Sequence, residues 1–216
     1  MKKFVLAATV AALTVAAASA ASAAVTFSFT DGPAHSPGAG YTVIDTFDFG
    51  FGITGSGYQV AATYDSNGAP PANSVPFDTS YLSVLGGGNA TISFAALTSH
   101  PVTAFEFDWG SVDTYNHLVI HSSAGDITVT PPNLNFVTPA NGDQHADVTN
   151  GLFMVSGDAG ETFSGITLTS GTNSFEIDNL AITGVPEPTT WAMMLVGLGA
   201  LGGALRSRRR TMAACA

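Results

Sequence analysis

Val102-Thr103-Ala104-Phe105-Glu106-Phe107-Asp108-Trp109 decides the fold. Phe105, Phe107 and Trp109 point one way and Glu106 and Asp108 the other, the period-two pattern of a strand with one face in a core. The same period recurs on both sides. Val25, Phe27 and Phe29 alternate with Thr26, Ser28 and Thr30, and Leu118 and Ile120 alternate with His117, Val119 and His121. Further strands are expected within 41–53 and at Tyr58–Tyr64, Tyr81–Leu85, Ala90–Phe94, Ile127–Thr130, Leu134–Val137, Leu152–Val155, Thr162–Thr169 and Ser174–Thr183. Phe47, Phe49 and Phe51 share a face with Asp45, so a register change or an exposed end is expected near that acid. Phe175 and Ile177 sit on one parity and Leu180 and Ile182 on the other, which a bulge at Asp178-Asn179 reconciles. Gly55-Ser56-Gly57 and Gly86-Gly87-Gly88 read as turns, and 65–78, with Asn67-Gly68 and Pro70-Pro71, as a long mobile or functional loop.

No stretch between the two ends carries a 3.6-residue apolar stripe. About ten short strands at spacings of about 8–12 residues imply an all-β domain over 24–184, with two packed antiparallel sheets as a β-sandwich or jelly roll. A chain of 216 residues holds one such domain.

Charge is distributed unevenly. Charged residues make up 10% of the chain and its formal net charge is −10. All six basic residues lie at Lys2, Lys3, Arg206, Arg208, Arg209 and Arg210, so the central domain has no Lys or Arg with which to pair its acids. Such a surface repels nucleic acid and anionic lipid. The one cysteine, Cys215, lies beyond the arginines, so the domain holds by packing without a disulfide.

The two ends read as addresses. Met1-Lys2-Lys3, an apolar run over Phe4–Ala18 and the small-x-small sites Ala18-Ser19-Ala20 and Ala21-Ser22-Ala23 form a secretory leader over 1–23, with cleavage by signal peptidase expected after Ala23 and the Ala20 and Ala24 positions as close alternatives. At the other end Pro186-Glu187-Pro188 precedes an apolar segment, Trp191–Leu205, and then the arginines, with 211–216 as a short tail. Trp191 takes the place of an interfacial aromatic. The arginines place the C-terminus in the cytoplasm, leaving the domain outside. Trp191–Leu205 is short for a bilayer core, but Thr189 and Thr190 extend it and the arginines snorkel.

Taken together, Pro186, Glu187, Pro188, Trp191, the Gly-rich apolar segment and Arg206, Arg208, Arg209 and Arg210 resemble the PEP-CTERM sorting domain of Gram-negative exosortase substrates, over 185–210. The resemblance implies that a membrane-embedded transpeptidase, exosortase, recognises Pro186-Glu187-Pro188 and removes the tail. The chain is then held in the inner membrane only transiently before it reaches the cell surface or the extracellular matrix. It also implies company with exopolysaccharide and biofilm. The stretches Phe105–Asn116 and Phe175–Leu180 are similar to cargo domains of other PEP-CTERM surface proteins, which supports the β-rich reading and adds no activity.

The cargo's chemistry is less legible. Glu106 and Asp108 lie two apart on one strand face, the placement of a glycosidase acid pair, so a matrix-polysaccharide hydrolase is the alternative function. The plainer reading of the pair is a solvated strand face. His117 and His121 share an outer face but lie too far apart to be two ligands of one metal without help from another strand, while Asp113, Asn116 and His117 are a set that loop acids such as Asp143 or Asp147 could complete. Calcium is the ion suited to so acidic a domain, although no Asp-x-Asp-x-Asp-Gly loop names its ligands. No catalytic, cofactor or metal residue is assigned. The first expectation is a non-enzymatic surface or matrix protein, either a carbohydrate-binding or a structural β-sandwich, with extracellular polysaccharide as the candidate partner. Sugars stack on aromatic faces, and Tyr41, Tyr58, Tyr64, Tyr81 and Tyr115 are the candidates.

Overall fold

The computed structural model describes residues 25–32, 35–48, 52–72, 80–131, 140–158, 160–183 and 194–201. Ala23, Phe49, Phe51, the expected strand Leu134–Val137 and the sorting residues Pro186, Glu187, Pro188, Trp191, Arg206, Arg208, Arg209 and Arg210 lie outside them.

The domain is all-β and antiparallel. Its strands are β1 (Val25–Asp31), β2 (Thr42–Asp45), β3 (Ile53–Ala61), β4 (Tyr81–Ser93), β5 (Ala104–Gly110), β6 (Asn116–Ser122), β7 (Gly125–Val129), β8 (Gly151–Gly157), β9 (Phe163–Ser170) and β10 (Phe175–Ile182). One helical turn, α1 (Phe94–Leu97), follows β4, and a 3-10 turn, Asp147–Thr149, precedes β8. The strands join in one sheet of order β1-β8-β5-β10-β4-β9-β6-β7, with β2 added to β10 and β3 to β4. The sheet curls over itself and encloses a single core. Across that core Phe105 of β5 meets Phe163 of β9 edge-on, with ring centroids 5.3 Å apart. Beside them Trp109 stacks on Phe175 at 4.6 Å and meets Phe153 edge-on at 5.3 Å. Phe105, Phe107 and Trp109 are fully buried, as the alternation requires.

The sandwich-like layers are therefore two halves of one sheet, and β4 makes the turn between them. Gly86-Gly87-Gly88 does not separate two strands; it bends one strand of 13 residues. Before the bend, Leu82–Val84 pair with β10; after it, Asn89–Ser93 pair with β9. On the other side β3 follows the whole way, and Gly55-Ser56-Gly57 lies inside it as a bulge. Gly57 has φ 68°, and an ideal β-carbon at Gly88 would overlap the Gly57 carbonyl, so two backbones touch where the sheet folds. Glycines that read locally as chain breaks serve here as a corner.

The two expected irregularities are present. β10 shifts register between Asp178 and Ala181, with Asn179 at φ 50°. Opposite Asp45, the β2–β10 pairing shifts between Leu180 and Ala181.

Among the described residues no helix is long and apolar enough to cross a membrane. Residues 194–201 of the apolar segment are helical, with Met194, Leu195, Val196, Leu198 and Leu201 exposed.

Candidate functional site

The acid pair does not face solvent. Glu106 and Asp108 are both 0% exposed, which overturns the reading of that face as solvated. Residues 36–38 lie over them. Ser36 donates its N–H to Asp108 Oδ1 at 2.7 Å and its hydroxyl to Glu106 Oε1 at 3.1 Å, and Gly38 N–H donates to Glu106 Oε1 at 2.5 Å. Asn179 Nδ2 donates to Asp108 Oδ2 at 2.9 Å. Asp178, also buried, stands directly across from Asp108 in the β5–β10 register. Burial pushes the Asp108 carboxyl up to about 7, opposed by its hydrogen bonds from Asn179 and Ser36 and assisted by the charges of Asp178 and Glu106. Burial likewise raises Glu106. The pair is brought together as expected, but beneath a cover that a glycan does not pass in this structure.

The open chemistry lies at one end of the curled sheet, where the segment after β3, the β5–β6 loop, residues 140–150 and the β9–β10 loop converge. Asp65 and Gly68 form a small antiparallel bridge, and Asp65 Oδ1 accepts the Asn67 N–H at 2.7 Å. Ser83 of β4 anchors this turn by donating to the Asn67 carbonyl at 2.8 Å. Gly68 is packed so closely that a β-carbon there would sit 2.6 Å from Ser83 Oγ and 3.1 Å from Glu176 Oε1. Asn150 fastens three segments with one side chain. Its Oδ1 accepts the N–H groups of Ala72 and Ser111, and its Nδ2 donates to the carbonyls of Asp143 and Ala146. Asp113 pairs through its backbone with Asn141.

These loops enclose a polar recess of about 120 Å³ whose acids are Asp65, Asp113 and Glu176. Glu176 is buried on β10 and accepts hydroxyl hydrogen bonds from Ser111, at 2.6 Å, and from Ser174. Burial pushes its carboxyl up to about 7 against those bonds. Asp113 accepts the Tyr115 hydroxyl and is raised by burial; burial and the Asp113 carboxylate raise Tyr115 in turn. Tyr64 stands on the rim, 67% exposed. On its other side lies a more open, mainly apolar recess of about 490 Å³ formed by Ala69, Pro70, Ala72, Gln144 and His145. Tyr64 and Gln144 belong to both, so the two recesses make one groove with an aromatic between them. A recess of about 510 Å³ beside α1 contains no carboxylate, and its two aromatics, Phe94 and Phe163, are buried.

Of the five candidate tyrosines, Tyr64 alone is fully available. Tyr81 is buried, and Tyr41, Tyr58 and Tyr115 are partly covered. His117 is exposed, whereas His121 bonds Asp126 at 2.8 Å and Thr167 at 2.9 Å. Asn116 is buried and donates to Ser170 and the Ser174 carbonyl. Among the described residues, no three His, Cys, Asp or Glu side chains are grouped to hold a metal ion. Asp65 and Glu176 of the groove, and Asn150, which ties the loops around it, carry no mark of their own in the sequence. The only sequence signal near them is the loop 65–78 itself.

The chain matches the description of a PEP-CTERM protein-sorting motif over residues 184–210. No curated protein matches it. Among solved structures it is similar to a carbohydrate-binding module from Cellvibrio mixtus lichenase 5A in complex with cellotriose, at 15% identity and a TM-score of 0.35, over 67% of this chain and 99% of that one. It is also similar to the catalytic domain of a GH87 α-1,3-glucanase in complex with nigerose, at 13% identity and a TM-score of 0.37 over 73% of this chain; the match spans 30% of that chain. A third similarity is to the family 11 carbohydrate-binding module of a Clostridium thermocellum cellulosomal cellulase, at 15% identity and a TM-score of 0.24, over 68% and 96% of the two chains. At these TM-scores the likenesses carry no argument. The sorting match coincides with the acidic-proline, apolar and arginine succession at 185–210: this is a protein with a PEP-CTERM sorting motif, exported to the cell surface or beyond it.

Proposed function

We propose that this protein is an exosortase-processed component of the cell surface or biofilm matrix whose β domain binds extracellular polysaccharide without cleaving it. The observation that carries the binding reading is Tyr64, a freely exposed ring set between a carboxylate-lined recess and an apolar one. A sugar presents an apolar face of C–H groups and a rim of hydroxyls. An exposed aromatic flanked by acceptors suits both, because the ring takes the face and polar groups fix the rim. Reading the protein as a binder also accords with the cover over Glu106 and Asp108, which keeps the hydrolase pair from substrate.

The test is binding of the purified protein to a glycan array, followed by titration of the best ligand against wild type and Tyr64→Ala. Binding without turnover, reduced at least tenfold in the variant, is expected. Release of reducing ends by the wild type would replace the binder with the hydrolase.

In the envelope, the short apolar segment holds the chain in the inner membrane only until exosortase cuts near Pro186-Glu187-Pro188. Cell-derived protein is then expected to lack the arginine cluster by mass spectrometry, and Glu187→Ala to retain it in the inner membrane. Intact tails on surface-located wild-type protein would refute the processing step.

A further inference from the structure

We infer a hydrolytic site on the outer face of the sheet, with Thr167 as nucleophile, His121 as its general base and Asp126 as the residue that positions the base, acting on small carboxylic esters. The three side chains come from three neighbouring strands. Thr167 lies on β9, His121 on β6 beside it, and Asp126 on β7 directly across from His121. His121 Nδ1 lies 2.8 Å from Asp126 Oδ1, and Nε2 lies 2.9 Å from Thr167 Oγ1. The hydrogen positions follow from what each partner can do. An ionised carboxylate only accepts, so Nδ1 carries the hydrogen and Nε2 of the neutral ring turns its lone pair to Thr167. Thr167 then donates its hydroxyl hydrogen to Nε2, and the Thr91 hydroxyl, 2.8 Å away on β4, is left to donate to Thr167 Oγ1. A hydroxyl bonded to a neutral imidazole whose far nitrogen is held by a carboxylate is the arrangement that makes a weak nucleophile reactive. It is recognised by geometry and roles, whatever the order along the chain.

The relay is within reach of a ligand. The His121 side chain keeps 31% of its surface exposed and that of Asp126 65%. Gly165, opposite His121 in the register, puts no side chain beside the ring. None of these residues belongs to the Tyr64 groove. With an ester carbonyl placed over Thr167, Oγ1 bonds to the carbonyl carbon as its proton passes to Nε2. That proton goes on to the departing alcohol oxygen as the ester C–O bond breaks, which leaves the acyl group on Thr167. Water then attacks the acyl carbon, passes a proton through Nε2 back to Oγ1, and releases the carboxylic acid. Thr91, beside Oγ1, is the donor at hand for the developing oxyanion. One hydroxyl stabilises that charge less than a pair of backbone N–H groups would, and the backbone of β9 is engaged by strands on both sides. The expected substrates are therefore esters with good leaving groups, and peptide bonds are not among them. Cutting an ester leaves glycosidic bonds intact, so the activity sits beside the binding of a glycan and does not replace it.

The probe is p-nitrophenyl acetate, given to the full chain and to variants whose folding is checked by urea melts. Wild type is expected to release p-nitrophenolate with an initial burst and, when quenched in acid, to carry an acetyl group on the peptide containing Thr167. His121→Ala and Thr167→Val should each lower the rate about tenfold or more. Thr167→Ser keeps the hydroxyl and should keep the activity. Asp126→Asn, at an exposed position, should lower kcat and leave KM unchanged, because the ring loses the partner that selects its tautomer. His117→Ala controls for the ordinary reactivity of any exposed imidazole and should change nothing. A wild-type rate no higher than that of free imidazole at equal concentration would overturn the assignment. So would a loss in His117→Ala equal to that in His121→Ala, or acetyl groups found only away from Thr167. Activity lost in Thr167→Ser as fully as in Thr167→Val would show that packing, and not the hydroxyl, matters there, and would overturn the nucleophile.

Discussion

Stability should fall as pH rises from acid to neutral, the reverse of what paired surface carboxylates give. Asp108 and Glu176 are buried in a domain with no Lys or Arg, and burial lifts their carboxyls from 3.8 and 4.5, respectively, to about 7. A raised acid in the folded state holds its proton where the unfolded chain has released it. The stabilisation is complete below the unfolded values near 4 and is lost as pH climbs through about 7. The lift of Asp108 corresponds to about 4 kcal/mol and that of Glu176 to about 3 kcal/mol. Between about pH 5 and 6.5 two protons are held by the folded state and almost none by the unfolded. The unfolding free energy then drops by about 2.7 kcal/mol per pH unit, a large part of a typical domain's stability. Urea melts at pH 5, 6, 7 and 8 measure this directly. Asp108→Asn removes one of the two protons and should halve the slope. It keeps an acceptor for Ser36 N–H and can meet Asn179 through a turned amide, so at pH 8 the variant should be the more stable protein. A wild-type stability that is flat or rising from pH 5 to 8 would refute the reasoning. So would a variant equally destabilised at both ends of the range.

Three further outcomes follow from particular contacts. Gly88→Ala places a β-carbon on the Gly57 carbonyl at the corner of the sheet and should cost about 1–3 kcal/mol in a urea melt. Asn150→Ala removes the tie among three loops, should cost about 1–3 kcal/mol, and should weaken glycan binding although Asn150 does not line the groove. Trp109→Ala should cost about 3–5 kcal/mol by thermal or urea unfolding. Trp109→Phe should cost much less, because the indole N–H is buried without a partner and its removal offsets part of the lost packing.

Much of the fold was legible because period-two alternation reports which side of a strand is wet or dry. That logic found the inward row of β5 and the bulge at Asn179, where parity changes within one strand. It failed on the outward row of β5, since Glu106 and Asp108 look solvent-facing until Ser36 and Gly38, about 70 residues earlier, are seen to cover them. It failed again at Gly86-Gly87-Gly88. Three glycines signal a break, and only the bulge of β3 alongside shows that they bend a continuous strand. The groove was less legible still. Tyr64 is one of five equal candidates by sequence, and the loops around the groove are tied by Asn150, which no local pattern marks. The sorting segment was the reverse case, readable in one dimension because its recognition depends on order along the chain.

The strand order also sets when folding can finish. Val25 pairs with Gly157, β2 pairs with β10, and β5 lies between β8 and β10, so early segments wait for partners that emerge from the ribosome much later. Sheets closed by such distant pairings form slowly. That delay keeps the chain open for longer after synthesis, and the domain then completes itself with no disulfide to wait for.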